Sequence, residues 1–95
     1  MSSVLEKQLA RALDQRLAVF MAKAAEGSLL RDEMSLRAAA YMASEIIMPC
    51  CCMLCSKAKL EELLSQTRLC AENQALTQRL ASLVYDDLAR CNGLG

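Results

Sequence analysis

Histidine and tryptophan are both absent from this 95-residue sequence, and aromatic residues make up only 3% of it. Without histidine, the side chain that most often serves as a general base and as a transition-metal ligand is missing. The serines therefore lack the usual partner for nucleophilic catalysis. Only 3 glycines are present, and they form no glycine-rich phosphate-binding loop. We expect a protein that is not an enzyme, and no cofactor is predicted.

An excess of charge of one sign is also lacking, because 11 Lys and Arg residues balance 11 Asp and Glu residues. The densest basic group, Lys57 with Lys59, is too small to neutralise a run of phosphates. Nucleic acid is therefore not an expected partner. The sequence is instead 55% hydrophobic, with Leu, Ala, Met and Cys supplying most of that share. These residue types favour helix over strand and predict an all-α fold.

Two amphipathic helices are predicted in the first half of the chain, over residues of about 3–26 and about 29–48. In both, apolar residues recur at three- and four-residue steps, which is the period of a helix with one buried face. Between them, Gly27 can supply a left-handed stop and Ser28 can cap the second helix. The two helices are expected to fold back on each other as a hairpin.

The third segment, residues 50–91, follows Pro49 and contains no further proline or glycine. As one helix it would be roughly 60 Å long at ~1.5 Å per residue, far longer than the first two. Its apolar stripe slides by one position between Cys70 and Asn73. Two outcomes are open at this point. A break gives four helices that close on themselves, whereas a continuous helix leaves its end to be covered by a partner.

Charged residues on the outer faces are predicted to pair along the helices. Glu33 and Arg37 lie four residues apart, as do Asp86 and Arg90, and this spacing places each pair on one side of a helix. These groups are therefore assigned to solvated surfaces rather than to catalysis.

The stretch from residue 38 to residue 55 is apolar enough to raise the question of a membrane span. Glu45 lies within it, Pro49 interrupts it, and it is shorter than the ~20 residues that cross a bilayer. A buried corner between two helices is predicted instead.

Cysteine is plentiful, with 6 residues in the chain. The densest group of them is Cys50, Cys51, Cys52 and Cys55. Adjacent cysteines are badly placed to form disulfides with each other, and no signal peptide is visible. We therefore expect reduced thiols inside the cell, with cytoplasm, nucleus and organelle matrix not distinguished.

Four interpretations of this cluster remain open. The cysteines can be small apolar residues at a helix start. The Cys52 and Cys55 pair can begin a thiolate site for zinc or copper(I), with Cys70 and Cys91 as further ligands. S-acylation of the cluster would make the chain a membrane-associated adaptor. A redox role would need a thiol acidified by the start of a helix.

The segment from Cys70 to Leu83, CAENQALTQRLASL, resembles leucine-zipper segments, including a polar Asn73 at a core position. A basic zipper would carry a dense Arg and Lys region upstream, where this chain has CCCMLCSKAK. The resemblance therefore implies a partner helix and does not extend to DNA binding.

Together these features predict one all-helical domain over residues 1–95, built from a helical hairpin and a long third helix that is either continuous or broken. Such a three- or four-helix bundle would be completed by helices of a partner. The predicted function is that of a structural or interaction subunit in a larger complex or a homo-oligomer. Membrane association is expected only through acylated cysteines. The predicted partner interface consists of Leu5, Leu9, Leu13, Leu17, Leu76, Leu80, Leu83 and Leu88.

Overall fold

The computed structural model describes residues 4–49 and 56–91, and all regular structure in these ranges is helical. The prediction of an all-α helical bundle is confirmed. Within the described residues, no helix combines the length and the apolar character that a membrane span requires. The helices are α1 (Val4–Leu17), α2 (Met21–Ala25), α3 (Glu33–Ile47), α4 (Lys57–Leu64) and α5 (Gln74–Cys91).

The first predicted helix is interrupted near its end. α1 stops at Leu17, a 3-10 turn covers Ala18–Phe20, and the short α2 follows. Gly27 then has a φ of 75°. The N–H groups of Gly27 and Ser28 donate back to carbonyls of α2 at 3.0 and 3.1 Å. This is the left-handed stop that the sequence predicted.

α3 begins later than predicted, and a different residue caps it. Leu29–Arg31 forms a 3-10 turn, so α3 starts at Glu33. The carboxylate of Asp32 accepts a hydrogen bond from the Ser35 N–H at 3.2 Å and caps the helix. Ser28, the predicted cap, instead donates its hydroxyl to a carbonyl of α2.

The third predicted segment breaks into two helices. Ser56 caps the short α4, and residues 65–73 form a series of turns before α5. Asn73 caps α5 by accepting a hydrogen bond from the Leu76 N–H at 3.1 Å. The break includes the place where the apolar stripe slides, so residues 56–91 are not one continuous helix. Residues 50–55, which the sequence assigned to this segment, lie outside the described residues.

The four longer helices pack in a closed ring. α1 contacts α3 and α4, and α5 contacts the same two helices, so the order around the ring is α1, α3, α5, α4. Ala39, Ala40 and Ala43 are buried on α3 and allow α1 and α5 to approach it closely. The rest of the core is mainly aliphatic, with Leu13, Leu17, Leu36, Ile47, Leu60, Leu64, Leu76, Leu80 and Val84 fully buried.

Candidate functional site

The leucines predicted to form a partner interface lie in the core of the chain itself. The turns at residues 65–73 fold α5 back, so the leucines of α1 and α5 belong to one apolar cluster. In this conformation most of them offer no open surface to a partner, whereas Leu83 also lines a surface depression between α3 and α5. No stripe overhangs the bundle in the described residues. Leu9, Leu13, Leu17, Leu76, Leu80 and Leu88 are buried, and Leu5 and Leu83 are partly buried against the same core.

The predicted thiol site, Cys50, Cys51, Cys52 and Cys55, lies outside the described residues, and its metal and acylation interpretations stay predictions. Cys91 ends α5, and Cys70 is buried. Burial raises the pKa of the Cys70 thiol, although hydrogen bonds with Thr67 and Thr77 act in the opposite direction. In residues 4–49 and 56–91, no three cysteine or carboxylate groups lie together in a way that could hold a metal ion.

An apolar face on the outside of α3 was missed from the sequence. Met34 is 82% exposed and Tyr41 is 62% exposed, with the exposed Ala38 one turn from each of them. Steps of four and three residues place these side chains on one side of the helix, and we call the three residues the outer α3 face. The spacing of these three residues can be read from the sequence. The buried stripe through Leu36 and Ala40 contains most of the apolar residues of this helix, so the second, outer set was not recognised.

A groove runs beside the outer α3 face, between the end of α3 and the end of α5. It has a volume of about 670 Å³ and an apolar lining, and we call it the α3–α5 groove. Tyr41 also lines a second depression of about 370 Å³, together with Arg37 and Asp86. The outer α3 face and the two depressions therefore form a continuous surface around Tyr41. The groove is lined by Tyr41, Ser44, Glu45, Met48, Pro49, Asp87 and Arg90.

Polar groups at the base of the α3–α5 groove interact with one another. Ser44 donates its hydroxyl to the Ala40 carbonyl at 2.8 Å, and the same oxygen lies 3.4 Å from a carboxylate oxygen of Asp87. Arg90 pairs with Asp87, so the predicted pairing of Arg90 with Asp86 is wrong. The groove thus combines apolar contact area with an edge of both charge signs, which suits the docking of a protein side chain.

Comparisons with known proteins assign no family to the chain. No protein-family model, no curated protein and no solved structure matches it. Function is therefore inferred from the described surface.

Proposed function

We propose that this chain is a non-enzymatic interaction subunit that binds a helix of a partner protein on the outer α3 face and in the α3–α5 groove. The observation that carries the proposal is the alignment of Met34 and Tyr41 in solvent, on a helix whose other side is fully packed. Single exposed apolar residues are common, whereas aligned ones beside an apolar groove are typical of an interface. Tyrosine is enriched at interfaces, and methionine adapts its shape to a partner.

The shape and charge of this surface define the kind of partner that fits. An amphipathic helix with apolar side chains at positions i, i+4 and i+7 would lie along the outer α3 face, as in helix-in-groove recognition. One of its apolar side chains would enter the groove beside Tyr41. Because Arg37 and Arg90 share the edge with Glu45 and Asp86, a partner helix with both acidic and basic flanks fits best.

The first experiment compares the wild-type chain with two double variants, each tagged and produced in cells of its own source. Met34→Asp with Tyr41→Asp places charge on the proposed surface. Val4→Asp with Val19→Asp is the matched control, because these valines are 73% and 72% exposed and lie outside α3. Circular dichroism establishes that all three chains are folded, and mass spectrometry quantifies the proteins that each one retains.

We expect one partner to be retained by the wild type and by the valine control and to be lost from the Met34 and Tyr41 variant. Calorimetry with that purified partner should then show an affinity at least roughly 30-fold weaker for this variant, as expected when a central apolar contact is lost. Equal affinity for the partner in the variant and the control would contradict the proposal.

A further inference from the structure

Residues 65–73, which we call the hinge, connect α4 to α5 without any glycine or proline. Every hinge residue has a negative φ, as an α-helix requires. The N–H groups of Gln66, Thr67, Cys70 and Asn73 each donate to the carbonyl three residues earlier, at 3.0 to 3.2 Å. This pattern is the tighter relative of α-helical hydrogen bonding. Backbone sterics therefore do not prevent the hinge from becoming α-helix.

Polar side chains hold the hinge in its bent form. Asp14 on α1 accepts a hydrogen bond from the Arg68 N–H at 2.8 Å and another from the Arg68 guanidinium at 3.1 Å. Asn73 caps α5, and the Thr77 hydroxyl donates to the Cys70 carbonyl at 3.1 Å. In a straight helix, backbone groups of the hinge would bond to one another and replace these side-chain partners. The bent and straight forms therefore differ mainly in which groups satisfy the same backbone.

Negative charge gathers where the bent hinge brings α4 close to the start of α5. Glu61, Glu62 and Glu72 line one cleft at this end of the bundle. Like charges that share one cleft repel one another, and Lys59, which lies 3.8 Å from a carboxylate oxygen of Glu62, offsets only part of this charge. In a straight helix, Glu72 would lie about 15 Å along the axis from Glu62, so straightening relieves part of this repulsion.

We propose that the hinge straightens in a dimeric form of the protein, in which α5 of each copy packs between α3 and α4 of the other. Residues 57–91 then form one helix about 50 Å long. The second copy is the fitting occupant because its α3 and α4 are already complementary to α5. Leu69 and Cys70, buried in the bent hinge, would be covered by the facing hinge of the other copy. The exchange uses the inner side of α5 and does not rest on the outer α3 face.

The main test changes Asn73, because its cap serves only the bent form. Asn73→Ala removes the cap and adds a strong helix former, whereas Asn73→Ser keeps a capping side chain. Each protein is incubated at several concentrations and analysed by size-exclusion chromatography with light scattering. Since a dimer contains two hinges, Asn73→Ala should raise the dimer association constant roughly tenfold or more, while Asn73→Ser stays within about threefold of the wild type.

A second substitution separates helix exchange from ordinary surface association. Ala71 is exposed in the hinge. Ala71→Gly disfavours a continuous helix and is tolerated in a turn, so adding it to Asn73→Ala should return the protein to the monomer. An exchanged dimer should also survive dilution for hours, because α5 must leave a packed core before the copies separate.

Arg68→Ala covers the case in which Asn73→Ala does not fold, because Arg68 is exposed and its side chain acts through Asp14. If Asn73→Ala and Arg68→Ala are both folded and monomeric at every concentration, the proposal is overturned. A dimer that forms equally in Asn73→Ser, or that Ala71→Gly leaves intact, would also overturn it. Met34→Asp with Tyr41→Asp should leave the exchanged dimer unchanged, which keeps this result distinct from the test of the outer α3 face.

Discussion

Asp32 stabilises the connection between α2 and α3. Its carboxylate accepts hydrogen bonds from the N–H and the hydroxyl of Ser35 at 3.2 and 2.8 Å, and it lies 2.6 Å from the Lys23 ammonium nitrogen. The hydrogen bond from Lys23, followed by those from Ser35, holds the pKa of Asp32 far below its usual range. Hydrogen bonds from Arg68 likewise lower the pKa of Asp14. Both carboxylates therefore favour the folded state when they are ionised.

Acid should destabilise the fold through these two carboxylates. A carboxyl group whose pKa is lowered by folding contributes stability above its unfolded pKa of about 4, and that contribution is lost as the pH falls toward the folded value. We expect the urea midpoint to fall as the pH drops from about 5 to about 2. Asp32→Asn should make this dependence shallower while keeping the cap. If neither Asp32→Asn nor Asp14→Asn changes the slope, the role given to these carboxylates is wrong.

Pairing of charged side chains was only partly predictable from the sequence. The pair of Glu33 with Arg37 is confirmed at 3.5 Å, because one helical turn brings the two residues together. Arg90 pairs with Asp87 and not with Asp86. Both spacings are within reach on a helix, and Asp87 also lies 3.4 Å from the Ser44 hydroxyl of α3. Which of two adjacent carboxylates is used thus depends on how the helices pack.

Among the helices, the break between α4 and α5 is the feature that most changes the molecule. Local composition at residues 65–73 is compatible with helix, and the sequence left a break and a continuous helix both open. Contacts with distant parts of the chain favour the bent form, since Asp14 and Arg68 are 54 positions apart. Burial of Leu69 and Cys70 against the core acts in the same direction.

Substitutions of Gly27 test how much its left-handed conformation stabilises the connection between the first two predicted helices. A Cβ atom at this position would meet nothing within 4 Å, so the penalty for a side chain comes from the positive φ alone. Gly27→Ala should lower the free energy of unfolding by about 1–2 kcal/mol. Gly27→Asn should cost less, because asparagine tolerates the left-handed conformation. Urea denaturation of the two variants checks the order, and equal stability of Gly27→Ala and the wild type would contradict it.

For the whole molecule, the ring of helices derives its stability mainly from the aliphatic core. Ion pairs cross the boundaries between neighbouring helices, but they lie largely at the surface, where such pairs contribute little. Their positions are consistent with one register of each helix against the next. These pairs are Arg16 with Glu45 at 3.4 Å, Glu6 with Lys59 at 2.8 Å and Glu33 with Arg79 at 2.8 Å.

Leu80→Ala distinguishes a leucine of the core from a leucine of a partner interface. Leu80 is buried within one chain, so its truncation should lower the free energy of unfolding of the isolated monomer by about 2–5 kcal/mol. Met34→Ala is the control on the solvent side and should change it by less than about 0.5 kcal/mol. Urea denaturation of the monomer fraction measures both values. A monomer as stable with Leu80→Ala as without it would mean that this leucine does not pack in the core of the monomer.

Composition and periodicity by themselves determined the helical class and the stop at Gly27. They placed Leu80 on an apolar stripe but left open whether the chain's own helices or a partner cover it. The class, the stop and the stripe are local properties, because helix propensity and the spacing of apolar residues act over a few turns. Only the tertiary structure decided that α5 folds back to pack against α3 and α4, since that reversal depends on contacts such as Asp14 with Arg68 between distant segments. It also decided which apolar residues stay outside. Met34 and Tyr41 can be identified as exposed only when the packing of α1 and α5 against the other side of α3 is known.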